Sequence, residues 1–231
     1  MFTTTEAIVL HTTRHNDKTR IVHLYTREAG RLSVIVYGNS KKSIVFSPLS
    51  LVETTYSTKP SAMPILKEIE LITRKDTLNE GLKIRDIGRQ SVATFIAEII
   101  YRSERHPLKD TELFDFFVAT INELDSENFE NCHLRFLIGY AQHIGIALDI
   151  YSDGATLNLQ TAESMYDAPR HEDYLNSKEL DLLRQLNEGT TIRINRKDKQ
   201  ALLEKLCRFY QLQIDGFTLP KSLAVLEQVF D

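Results

Sequence analysis

Three β-rich runs stand within the first forty residues, and they leave no room for helices between them. Residues 7–12, 19–26 and 32–37 are dense in Ile, Val, Thr and Tyr, which fit a pleated, half-buried surface. In the second run Val22 and Leu24 alternate with polar and aromatic neighbours, so one face of that strand is predicted to be apolar. The pattern predicts a small antiparallel β-structure at the start of the chain.

Two further β-rich runs follow at residues 49–57 and 65–73, which brings the number of predicted strands to five. A five-stranded barrel of this size is the OB architecture, which binds oligonucleotides on one open face and its adjoining loops. The N-terminal part is therefore predicted to be an OB-type β-barrel that handles nucleic acid.

From residue 78 the apolar residues change to the spacing of amphipathic helices. The predicted helices cover residues 82–105, 111–124, 132–148, 180–186, 197–213 and 221–230, with a possible strand at 155–160. This order predicts a multi-domain α+β protein with an OB-fold DNA-binding domain over residues 1–78 and a helical domain over residues 79–231. The boundary is expected in the short polar segment 74–79.

Composition indicates a folded intracellular protein. The chain of 231 residues is 42% hydrophobic and 26% charged, which is typical of a globular core with a polar surface. Cys132 and Cys207 lie far apart inside predicted helices and are expected to be free, buried thiols. The first residues lack the pattern of a signal peptide, and no apolar run could span a bilayer. We therefore expect a soluble, cytoplasmic protein, associated with the nucleoid if it binds DNA.

Charge is distributed unevenly along the chain. Residues 1–80 carry 11 Lys and Arg against 8 Asp and Glu, whereas residues 81–231 carry 17 against 24. Such asymmetry indicates that the N-terminal part is the one that faces phosphates.

Basic side chains accompany the turns of the predicted barrel, where they could follow a phosphate backbone regardless of base sequence. An ordinary solvated surface would carry similar charges, and sequence cannot show whether these residues share one face. The predicted DNA-binding residues are Arg14, Lys18, Arg20, Arg27, Arg31, Lys41 and Lys42.

Four aromatic residues of the barrel, Tyr25, Tyr37, Phe46 and Tyr56, could stack on bases as in single-strand binders. Aromatic residues in strands more often pack in the core or against a neighbouring strand, so both interpretations stay open.

Catalytic and metal-binding motifs are missing from the sequence. The seven histidines form no HExxH motif and no cluster with cysteines, so we predict no metal and no cofactor. The sequence contains no GxSxG nucleophile motif and no glycine-rich phosphate loop. Four aspartates gather in one irregular stretch, at positions 149, 153, 167 and 173, but solvated acidic loops are common. We therefore predict that the protein is not an enzyme.

Two sets of segments resemble the RecO family of bacterial recombination mediators. The N-terminal set is residues 6–10 (EAIVL), 19–38 (TRIVHLYTREAGRLSVIVYG) and 47–49 (SPL). The helical set is residues 112–124 (ELFDFFVATINEL) and 134–145 (LRFLIGYAQHIG). The order of elements agrees with the family over essentially the whole chain.

The resemblance implies an N-terminal OB domain that binds single- and double-stranded DNA, with contacts at the basic positions given above. It also implies a role in DNA repair and recombination: annealing of complementary strands and, with RecR, assistance in loading RecA onto DNA coated by the single-stranded DNA-binding protein SSB. No covalent chemistry is implied. Many family members carry a four-cysteine zinc site after the middle helices, where residues 148–162 contain no cysteine, so this chain is expected to fold without zinc.

Our main hypothesis is therefore a DNA-binding recombination mediator. The alternative is a protein-interaction scaffold that reaches DNA only through RecR or SSB, and a nuclease acting through the aspartate-rich stretch is a distant third. SSB tails are acidic and end in apolar residues, so the partner site is expected to be an apolar pocket rimmed by cations. Arg102, Arg105 and Arg135 are the predicted rim residues.

Overall fold

The computed structural model describes residues 1–16, 18–37, 43–59, 62–72, 86–104, 107–127, 129–190 and 192–229. The chain divides into two compact units, Met1–Glu127 and Asn128–Asp231. Within the described ranges, no helix is long and apolar enough to cross a membrane.

The first unit begins with a closed five-stranded barrel in which the strands are ordered β1-β2-β3-β5-β4. The strands are β1 (Phe2–Asn16), β2 (Thr19–Thr26), β3 (Gly30–Tyr37), β4 (Leu51–Lys59) and β5 (Ala62–Leu71). All neighbours pair antiparallel except β3 and β5, which are parallel. The predicted OB-type barrel followed by helices is confirmed.

Strand β1 is longer than its predicted core of residues 7–12, because its two halves pair with different strands. Residues 2–8 pair with β4, and residues from Ala7 onward pair with β2. The apolar face that closes the barrel includes Ala7, Val9, Val22, Leu24 and Val34, all of them completely buried.

The described residues after the barrel include two α-helices of the first unit, α1 (Ile87–Ser103) and α2 (Thr111–Asp125). Asp86 and Asp110 cap them by accepting backbone N–H groups of the first turn. Arg89 of α1 donates to the carbonyl oxygen of Leu124 in α2. The predicted domain boundary after residue 78 and the start of the predicted helix at 82 lie outside the described residues, so the boundary stays a prediction.

Gly30 lies where the turn between β2 and β3 comes close to the segment between α1 and α2. Its backbone has a φ of 61°, and a Cβ atom at this position would collide with the carbonyl of Leu108. Glycine therefore satisfies both the turn between β2 and β3 and the close approach of the neighbouring backbone.

The described part of the second unit contains four α-helices and a small sheet. The helices are α3 (Cys132–His143), α4 (Ser177–Asn187), α5 (Arg196–Gln213) and α6 (Leu223–Val229), and the strands are β6 (Thr156–Asn158), β7 (Ser164–Met165) and β8 (Tyr174–Leu175), in the order β7-β6-β8. Tyr210 of α5 stacks on Tyr140 of α3 and donates its hydroxyl proton to the carbonyl oxygen of Leu137, 2.7 Å away. Cys132 and Cys207 are buried and form no disulfide, as predicted.

Helix α3 is shorter than predicted. The apolar period continues through Ile146 and Leu148, but the helix ends at His143 and Gly145 takes a φ of 79°. The amide of Ile146 then donates back to the carbonyl oxygen of Ala141, a bond that closes the helix end.

Candidate nucleic-acid interface

A two-stranded hairpin arm extends the barrel at the turn between β1 and β2. We define the hairpin arm as residues 12–16 and 18–22. Arg14, His15, Asn16 and Lys18 are exposed, and Arg20 is half-buried. Asn16 orders the turn because its side-chain oxygen accepts the backbone N–H of Lys18 at 2.9 Å. The arm thus carries three of the predicted DNA-binding residues.

Arg14 and Arg20 stand directly opposite each other on the two strands of the arm. Opposed like charges on neighbouring strands repel, and an anion bound beside them reduces that repulsion. The two arginines share the strand face of Thr12 and Val22, the face that closes the barrel farther along the strands. They therefore place two guanidinium groups where that face of the sheet extends beyond the barrel core. A guanidinium can bind a phosphate with two N–H groups at once.

A bulge creates this pairing. The register shifts between Arg14 and Asn16, which leaves His15 without a directly opposed residue on β2. If the register of the pair Asn16–Thr19 continued without a shift, Arg14 would lie opposite Ile21. Bulges of this kind re-aim side chains and are frequent beside functional sites.

Arg27 lies at the other end of β2 and is held by two carboxylates. Its Nε donates to Glu6 and its Nη2 donates to Asp115 of α2, both at 2.7 Å. The guanidinium also lies 4.4 Å from the ring centroid of Phe114. The hydrogen bonds to Asp115 and Glu6 raise the pKa of Arg27 above its usual value, against the opposing effect of burial.

Arg31 is held by the end of α1. Its Nη1 donates to the carbonyl oxygens of Tyr101 and Glu104, at 2.9 and 3.0 Å, and its guanidinium lies 4.2 Å from the centroid of the Tyr101 ring. Carbonyls at a helix C-terminus have no partner within the helix, so a cation is favoured there. Arg27 and Arg31 therefore connect the barrel to α2 and α1, and their predicted contact with DNA stays a prediction.

Two histidines lie on the outer face of β1 and β2, the face that also carries Arg31. His11 and His23 stack with centroids 6.0 Å apart, and each lies 5.0 Å from Tyr101. Burial, Arg31 and His11 lower the pKa of His23 to about 4. Burial is also the largest cause of the lowered pKa of His11. Tyr101 of helix α1 therefore covers this part of the outer face of β1 and β2, and OB barrels usually bind oligonucleotides on strands 2 and 3 and the adjoining loops.

The remaining predicted residues are distributed over the chain. Lys41, Lys42 and Arg105 lie outside the described residues. Arg102 is ion-paired with Glu98 of α1 at 2.5 Å, and Arg135 is a half-buried residue of α3 in the second unit. The structure therefore places the two described rim residues in different units.

Acidic residues occupy a different face of the barrel. Glu6, Glu53 and Glu70 are directly opposed across β1, β4 and β5 and form an acidic row. Their neighbours Ala7, Val52 and Leu71 pack in the barrel core, so the acidic row is on the outside. A polyanion is disfavoured on this side of the barrel.

The aspartates of the second unit make structural contacts. Asp173 binds Arg208 at 2.8 Å and accepts from Gln160, and these bonds lower its pKa. Asp149 accepts from the backbone of Ser152, and hydrogen bonding to Ser152 lowers its pKa as well. Among the described residues there is no group of three or more His, Cys, Asp or Glu that could hold a metal ion.

Comparison with known proteins agrees with this architecture. Residues 1–74 match the family model "Recombination protein O N terminal" and residues 84–223 match "Recombination protein O C terminal". A DNA repair protein RecO of Phocaeicola vulgatus is 30% identical over 245 residues, which cover 100% of both chains. A protein of the same name from Porphyromonas gingivalis is 29% identical over 250 residues with the same full coverage, and one from Flavobacterium psychrophilum is 27% identical over 242 residues, 98% of each chain. The chain belongs to the RecO family of DNA repair proteins.

Proposed function

We propose that the protein is a DNA-binding recombination mediator that acts without covalent chemistry at the bacterial nucleoid. In this proposal it anneals complementary strands and, with RecR, assists the loading of RecA onto SSB-coated single-stranded DNA in the RecF pathway. The observation that carries the proposal is the opposed pair Arg14 and Arg20 on the hairpin arm, with Lys18 in the adjoining turn. Three cations on one short hairpin favour a phosphate backbone over a neutral ligand.

Annealing follows from the chemistry of such a surface. Guanidinium groups that neutralise phosphates reduce the repulsion between two DNA strands. Contacts to the backbone carry no base information and leave the Watson–Crick edges free to pair. The acidic row then keeps DNA away from the outer face of β4 and β5 and confines it to the side of the hairpin arm.

The test is fluorescence anisotropy of a labelled single-stranded oligonucleotide, titrated with the protein over a salt series. Each phosphate contact on a single strand contributes about −0.7 to the slope of log K against log salt, so Arg14→Ala/Arg20→Ala should flatten the slope by about 1.4. The matched control is Arg170→Ala/Arg193→Ala, which removes the same charge from two exposed arginines of the second unit. An equal change in both double variants would show that only net charge matters and would remove the arm from the site.

A second candidate is favoured by the charge of the rest of the chain. Residues 81–231 carry an excess of acidic residues, which disfavours direct DNA contact by that part. In this alternative the protein is a scaffold that reaches DNA only through RecR or SSB. Binding to RecR or to a peptide of the SSB tail, with no binding of free oligonucleotide at low salt, would establish it.

The partner site is proposed to include Arg102, Arg105 and Arg135, because cations suit an acidic tail that ends in apolar residues. Arg135→Ala should weaken binding of the SSB-tail peptide and leave oligonucleotide binding unchanged. Arg193→Ala is the matched control in the same unit. Unchanged affinity for the peptide would exclude Arg135 from the partner site.

A further inference from the structure

Tyr37 is the barrel tyrosine whose side chain is mostly exposed to solvent. Tyr25 and Tyr56 are 1% and 4% exposed, whereas Tyr37 is 64% exposed at the end of β3. Phe46 is also buried. Of the four aromatic residues that the sequence offers for stacking, the structure therefore leaves Tyr37 as the accessible one.

The position of Tyr37 relative to the arginine pair is the second observation. Tyr37 is paired with Thr19 on β2, and the adjacent pair is Val36 with Arg20. Val36 packs in the barrel core, so alternation turns Tyr37 to the opposite face from Val36 and Arg20. Arg20 and Tyr37 therefore lie at the same end of the sheet on opposite faces, and a DNA strand contacts both only where it passes around the end of β3.

We propose that Tyr37 is a base-stacking platform that gives the site a preference for single-stranded over double-stranded DNA. The inference rests on the proposed DNA binding by the hairpin arm and deepens it. A base can stack on an aromatic ring only when it is unpaired and turned out, whereas phosphates are available in both forms of DNA. The arginine pair then supplies affinity for any DNA, and Tyr37 adds affinity for the single strand.

Two other tyrosines are more exposed than Tyr37 but lack this setting. Tyr151 and Tyr166 are 78% and 80% exposed in the second unit. Neighbours of Tyr151 include Asp149 and Asp153, and its hydroxyl accepts from Asn187 at 2.6 Å. Tyr151 and Tyr166 thus serve as matched controls for exposure and residue type.

The first experiment compares affinities of Tyr37→Ala for single-stranded and duplex oligonucleotides of the same length. Stacking on one base corresponds to a loss of about 5- to 150-fold in single-strand affinity. Duplex affinity and the salt slope should stay unchanged, because no charge is removed. Tyr37→Phe keeps the ring and should retain single-strand binding, and Tyr166→Ala should leave both affinities unchanged. Equal affinities of Tyr37→Ala and the unaltered protein for the single strand would overturn the proposal.

The second experiment uses fluorescence. The chain contains no tryptophan, so Tyr37→Trp introduces a single reporter. A single-stranded oligonucleotide should quench its emission, and the emission of Tyr151→Trp should not change. Quenching by duplex as strongly as by single strand would overturn the preference. If the unaltered protein bound no oligonucleotide at low salt, the proposed function would fail together with the stacking proposal. If single-strand binding depended on Arg14 and Arg20 but not on Tyr37, only the stacking proposal would be overturned.

Discussion

Arginines stand at both ends of β2, and the two sets are held in different ways. Arg27 and Arg31, at the turn between β2 and β3, donate to carboxylates and helix carbonyls and lie over aromatic rings. Arg14 and Arg20, at the hairpin arm, face each other across the sheet. The same residue type therefore stabilises the fold at one end and, in our proposal, binds an anion at the other. The distinction depends on what lies opposite each guanidinium.

The largest effect on stability is expected from Arg31→Ala. This change removes two hydrogen bonds from a charged donor and the contact with Tyr101, so the free energy of unfolding should fall by about 2–3 kcal/mol. Urea denaturation followed by circular dichroism measures the loss. Arg14→Ala is the control and should change the stability by less than about 0.5 kcal/mol. If Arg31→Ala kept its stability but showed a flatter salt dependence of DNA binding, Arg31 would be a phosphate ligand rather than a structural contact.

Arg27→Ala should have a smaller effect, about 1 kcal/mol, because its ion pairs are partly exposed to solvent. The side chains of Glu6 and Asp115 are 34% and 59% exposed. A double-mutant cycle of Arg27→Ala with Asp115→Ala should give a coupling energy of about 0.5 kcal/mol. No coupling, combined with weaker DNA binding of Arg27→Ala, would erase the distinction between the two ends of β2.

Acidic pH should lower the free energy of unfolding through His23, which lies near Arg31. The folded state holds His23 neutral down to a pKa of about 4, whereas the unfolded chain protonates near the ordinary value of 6.5. The unfolded state binds more protons in this window, so the contribution of His23 to stability is complete above pH 6.5 and is lost as the pH falls to 4. The change should be smaller than either arginine effect, because the half-buried imidazole keeps contact with solvent.

An NMR titration of the His23 imidazole tests this directly. The denaturation midpoint of His23→Gln should also depend less on pH between 6.5 and 4 than that of the unaltered protein. His15→Gln is the matched control, since His15 is exposed on the hairpin arm. A midpoint of the His23 titration near 6.5 would contradict the burial of His23 under Tyr101 and Arg31.

Sequence reasoning could predict the barrel because its signals are local. Alternating apolar residues mark β2, and Val22 and Leu24 lie in the core as predicted. The first half of β1 gave no such signal, because its run of threonines at positions 3–5 acquires strand structure by pairing with β4, some fifty residues later. The end of α3 was missed for the opposite reason: the apolar period continued, and the turn at Gly145 overrode it.

The candidate site was less predictable because its geometry depends on distant partners. Asp115 lies 88 positions after Arg27, and the carbonyls that accept from Arg31 lie 70 and 73 positions after it. No local pattern reveals such contacts. The opposition of Arg14 and Arg20 required the bulge at His15, which a strand prediction ending at residue 12 could not contain. Basic residues near turns thus indicate a charged surface, but the contacts and the register of each residue follow from distant parts of the chain.

The smallest effect is expected from the acidic row, the counterpart of the arginine pair. Glu53 and Glu70 are exposed and directly opposed, so Glu53→Gln/Glu70→Gln should raise the free energy of unfolding by a few tenths of a kcal/mol. DNA affinity at low salt should rise by no more than about threefold and the gain should vanish near 1 M salt, because charges beyond a Debye length are screened. Glu163→Gln/Glu188→Gln, on exposed residues of the second unit, is the control for net charge. A rise of tenfold or more in the first variant alone would place DNA across β4 and β5, and the two sides of the barrel would then no longer differ in function.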